Sequence, residues 1–151
     1  MLNKEVEHKI FGKCWKMLNT VRKNPTDTGW EKCVNEAHEI SESIAEYKKF
    51  HEKLVLATIE EAETEEKNKN AKEKSASYKN AGAAFNAAWE MFARFIDNPD
   101  EFKKSGMDIL AEYNKTYSGR FAKKLGAAIY EVVCAENNCK GTFMKDAYTF
   151  Y

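Results

Sequence analysis

Few residues in this sequence combine a reactive side chain with a spacing that chemistry could use, and His51 is the first of them. It lies in "YKKFHEKLV", residues 47 to 55, where the helical rhythm of its neighbours leads one to expect an apolar side chain. A metal site on a helix needs further ligands three or four positions away. Those positions hold Tyr47, Lys48, Leu54 and Val55, and Glu52 points to another face. General-base chemistry would need a carboxylate from a different helix, and the sequence names none. The expected role of His51 is that of a core or seam histidine, hydrogen-bonded to a neighbour and able to fix helix register. A bundle-core enzyme or metal site around it is the third of three functional readings.

Glu5-x-x-His8 is the chain's single E-x-x-H. Di-iron bundles need two such motifs and two more inward glutamates, whereas Glu5 falls on the polar side of its turn. Cys14 and Cys33 sit on apolar stripes, where a thiol behaves as a small hydrophobe. Cys134 and Cys139 form one C-x4-C, too little for a zinc or redox motif. There is no Gly-rich phosphate loop and no G-x-S-x-G. No catalytic residue, metal or cofactor is therefore expected.

Charge is the next resource. Lysine plus arginine and aspartate plus glutamate both total 24, so the formal net charge is zero, against the positive excess usual in proteins that grip nucleic acid. The charge is segregated, however. Residues 1–24 hold six basic and two acidic side chains, and residues 25–63 hold four basic and ten acidic. Glu31, Glu39, Glu42 and Glu46 fall on the outer face of the second predicted helix, a surface suited to a basic protein partner. Lys9, Lys13, Lys16 and Lys23 line the first helix and could meet phosphates without reading bases. The C-terminal stretch "TFMKDAYTFY" offers Tyr148, Phe150 and Tyr151, either to cap the protein's own bundle or to anchor a partner.

These groups need elements to position them. Two prolines and seven glycines in 151 residues leave long uninterrupted stretches, a helical signature. A first helix is predicted over 3–23, with Val6, Ile10, Cys14, Met17 and Val21 on its stripe, ended by Asn24-Pro25. "TGWE" reads as a capping box with Thr28 as N-cap. From Trp30 the stripe runs through Cys33, Ala37, Ile40, Ile44, Tyr47, His51, Leu54 and Thr58, widened by Val34, Val55 and Ile59. That heptad spacing predicts one long helix over about 29–62, extended or followed by a linker through the charged segment 63–77. Further helices are predicted over 77–97, from Pro99 to a break near 116–119, and over 119–136.

The expected architecture is a single all-α domain, 1–151. It is an elongated four- to five-helix bundle built on the long helix, with an aromatic tail over 139–151. An uncovered four-heptad seam would call for a second copy of the chain, so a homodimer through it is one expected partnership. No apolar run approaches a membrane span, and "MLNKEVEHKIF" has no signal core, which points to the cytoplasm. Twenty-one lysines against three arginines, with twelve asparagines, suggest an AT-rich genome such as that of a low-GC bacterium, its phage or a mobile element. The leading functional expectation is a non-catalytic adaptor, regulator or inhibitor that binds another protein. Sequence-tolerant nucleic-acid binding through the lysine stripe ranks second.

Overall fold

A computed structural model describes residues 1–43, 46–67 and 70–138. Among these residues the protein is all-helical, with α1 (Lys4–Lys23), α2 (Asp27–Ser43), α3 (Lys48–Lys67), α4 (Ala71–Asp97), α5 (Pro99–Thr116) and α6 (Arg120–Glu136). Ile44, Cys139, Tyr148, Phe150 and Tyr151 lie outside the described residues.

Local chemistry sets most boundaries. The Asn3 side chain accepts from the Val6 amide and Asn70 from the Glu73 amide, capping α1 and α4. Pro99 opens α5 in the first turn, where its missing N–H costs nothing. At α2 the carbonyl of Thr26 accepts from Trp30 and its hydroxyl faces the Gly29 amide, so Thr26, not Thr28, holds the N-cap position. Gly29 is obligatory here, because a Cβ would stand 1.7 Å from the Asn24 carbonyl oxygen. α4 starts at Ala71, six residues before the predicted helix, by recruiting part of the charged segment.

The predicted long helix is in fact two. α2 ends at Ser43, α3 begins at Lys48, and Tyr47 between them takes a φ of 61°, in the left-handed region. The pairings on either side show a reversal. Thr20 and Lys16 of α1 meet Glu36 of α2, whereas Glu7 and Arg22 of α1 meet His51 and Glu65 of α3. α2 is therefore antiparallel to α1 and α3 parallel to it. The buried stripes of α2 and α3 both face α1. Cys33, Ile40, His51, Leu54 and Thr58 are each 1% exposed within one chain, while Trp30 and Tyr47 are half-buried. Val34, expected to widen the stripe, is 44% exposed on the opposite face.

The six helices alternate in direction. α1, α3, α6 and α4 form a four-membered ring around the core, with α2 against α1 and α5 against α4 and α6. Aromatic side chains fill the ring: Phe11 contacts Phe85, Trp89 and Phe92, and Phe92 also takes the edge of Phe50. Among the described residues, no helix is long and apolar enough to cross a membrane.

Candidate functional site

Polar groups enter the core along one line, the α1/α3 contact. His51, Thr58 and Glu65 follow each other at seven-residue steps on α3, opposite Glu7, Cys14 and Arg22 of α1. The parallel course of the two helices keeps these levels in register.

At the first level the His51 Nε2 lies 2.8 Å from both oxygens of Glu7, and each side chain is 1% exposed. His51 therefore does meet a carboxylate from another helix. Sequence reasoning missed Glu7 because it traced the α1 stripe through Val6, which is only half-buried. The signal was present: Glu7 stands three before Ile10 and seven before Cys14, in phase with the core. His51 Nδ1 is buried without a hydrogen-bond partner. Both side chains are enclosed in the α1–α3 contact.

At the second level Cys14 is in hydrogen-bonding contact with Thr58, whose hydroxyl donates to the Leu54 carbonyl at 2.8 Å. Burial pushes the Cys14 thiol up to about 12, against the opposing pull of Thr58. Cys33, buried on α2 near Glu36, is pushed up to about 11. At neutral pH both are therefore protonated packing groups.

The third level closes the far end. Arg22 grips Glu65 with two hydrogen bonds, Nε to Oε1 at 2.8 Å and Nη2 to Oε2 at 2.7 Å. Its guanidinium lies 4.1 Å from the ring centre of Tyr78 on α4 and 5.0 Å from that of Trp15. Glu65, in the charged segment 63–77, is 1% exposed. Burial and the neighbouring Glu65 charge push the Glu61 carboxyl up to about 7, with Arg22 pulling the other way. Below about pH 7 Glu61 thus holds a proton that it can donate to Glu65 (two carboxylates beside one arginine).

The Glu5-x-x-His8 motif is on the surface. His8 leans on Trp89, with ring centres 4.9 Å apart, and Glu5 is exposed. Among the described residues no three His, Cys, Asp or Glu side chains come together as a metal would require. Lys9, Lys13, Lys16 and Lys23 are all exposed along α1. Lys16 and Lys23, with Lys32 of α2, also line a crevice of about 260 Å³ at the α1–α2 turn.

Glu31, Glu39 and Glu42 are exposed on the outer face of α2, together with Val34, Asn35 and His38. Glu46 belongs to the turn after α2 and takes the Met1 ammonium at 2.9 Å. Many acids outside α2 are matched within the chain: Glu60 by Arg120 and Lys124, Glu131 by Lys53, Asp97 by Lys4, Glu101 by Arg94. Among the described residues Glu31, Glu39 and Glu42 form no ion pair. In comparisons with known proteins, the chain matches no family model, no curated protein and no solved structure.

Proposed function

We propose that the protein works by binding another protein, one that presents a basic surface, through the outer face of α2. The observation that carries this reading is the contrast in how the acids are used. Glu36, turned toward α1, accepts from Thr20 and faces Lys16, whereas Glu31, Glu39 and Glu42 stay unmatched around the exposed Val34. Unmatched charge around an apolar contact suits a partner that brings lysine or arginine together with some apolar surface.

A lysine-rich peptide labelled for fluorescence anisotropy provides the test. It binds the wild-type chain with an affinity that falls as salt is raised, and Glu31→Lys/Glu39→Lys/Glu42→Lys loses at least tenfold in affinity while keeping its circular dichroism spectrum. Equal affinity for both proteins would refute the reading.

A second reading rests on the basic crevice and the α1 lysines. Phosphate groups of a nucleic acid would be held by Lys9, Lys13, Lys16 and Lys23, with a steep salt dependence and no sequence preference. Absence of a mobility shift with single- or double-stranded DNA or RNA at low salt would remove it.

A further inference from the structure

The sequence carries one motif twice. Phe11, Trp15, Met17, Asn24 and Pro25 are repeated as Phe85, Trp89, Met91, Asn98 and Pro99, each 74 positions further on, and the two prolines are the only ones in the chain. The structure carries the repeat much further. The seven buried positions of α1 run from Glu7 to Val21 and the seven of α4 from Ala81 to Phe95, and every one coincides under the same shift.

The following helices carry it as well, α3 at four of its eight buried positions. His51, Leu54, Val55 and Thr58 of α3 correspond to Leu125, Ala128, Ile129 and Val132 of α6, all buried, again 74 positions apart. Gly29, Cys33, Ala37 and Ile40 of α2 correspond to Phe102, Gly106, Leu110 and Tyr113 of α5, all buried, with the shift reduced by one residue after the proline turn.

Contacts between the halves occur in matched pairs. Trp15 stacks on Phe85 at 5.0 Å, and its counterpart Trp89 meets Phe11 at 5.2 Å. Trp15 covers Gly82, where a Cβ would stand 3.6 Å away, and Trp89 covers His8, the residue equivalent to Gly82. Phe11 and Phe85 are each other's equivalents and meet at 5.3 Å, where a two-fold axis would pass. α3 and α6 lie antiparallel, with Tyr47 at Glu136 and Lys124 at Glu60.

We infer that the chain is a tandem duplication: two three-helix units, α1–α3 and α4–α6, docked on each other about a pseudo-two-fold axis. The face that joins them is a self-recognition surface that takes the complementary unit of a second copy of this chain. An isologous face accepts the same surface from any copy, so the covalent link decides which copy supplies it. That link is short, since α3 ends at Lys67 and the antiparallel α4 begins at Ala71.

The test acts on the full chain. Deleting residues 68–70 leaves no room for α4 to reverse beside α3, so each unit must pair with the complementary unit of another copy. Light scattering then gives twice the 17.4 kDa mass of the chain, with helix content unchanged. A folded monomer overturns the inference. If that variant does not fold, a protease site inserted between Lys67 and Ala71 decides. The protein is cut after folding, unfolded in guanidinium, and refolded with a cut copy whose first unit carries a mass tag. Tagged and untagged first units both recover second units, with the original helix content. Units that stay apart, or that refold singly as monomers, overturn it.

Discussion

The duplication supplies an internal control for individual residues. Where the first unit buries Glu7 against His51, the second buries Ala81 and Leu125; where the first has Cys14 and Thr58, the second has Ala88 and Val132. The same helix pairing is thus made without polar groups, so the polar line answers to something other than the packing requirement alone. Replacing both members of a buried hydrogen-bonded pair by apolar groups costs little, yet losing one partner strands the other. Glu7→Leu or His51→Leu alone should cost about 3–5 kcal/mol in urea unfolding, and Glu7→Leu/His51→Leu should recover most of that loss. Additive losses would contradict the pairing. A second prediction concerns pH. The Glu61 carboxyl, raised from an ordinary 4.5 to about 7, keeps a proton in the folded state that the unfolded chain has lost, so its effect is to lower stability as pH rises across that window. Glu61→Gln should match the wild-type urea midpoint at pH 5 and exceed it at pH 8. An equal gap at both pH values would rule out Glu61 as the titrating group.

At the level of elements, α1 and α2 make opposite demands on glycine. Gly12 lies exposed in mid-helix, and a Cβ there meets nothing within 4 Å. Gly12→Ala should therefore stabilise by about 0.8–1 kcal/mol through helix propensity. Gly29→Ala would drive its methyl into the Asn24 carbonyl and should destabilise by about 2 kcal/mol or more, both read from thermal melts. The sequence made most of these elements legible: Asn24-Pro25, Asn98-Pro99 and Ser118-Gly119 mark three of the reversals. The α2–α3 reversal was not legible, because no glycine or proline marks 44–47 and the heptad phase runs through it. Periodicity records which residues face a neighbour and says nothing of whether the chain doubles back between them. Glu7 escaped for a related reason: a carboxylate in phase with a core stripe looks like a surface residue until the histidine opposite it is known. The repeat was written in plain residues, Phe-x3-Trp-x-Met-x6-Asn-Pro, but only its matching burial shows that both copies do the same work.

The whole molecule joins two units of similar build and unlike surface. Equivalent to Glu31 and Glu42 on α2 are Lys104 and Lys115 on α5, all exposed, while Glu39 and Glu112 agree. A neutral total therefore hides one acidic flank, and a basic partner should distinguish the flanks although the fold beneath them is nearly the same. The most direct test follows a titration of the ¹⁵N-labelled chain with a lysine-rich peptide by amide chemical shifts. Saturable, salt-sensitive shifts confined to α2 around Glu31–Glu42, with Lys104–Lys115 of α5 unmoved, are the predicted result. Equal movement on both flanks, or none on α2, would contradict the assignment of the acidic face as the binding surface.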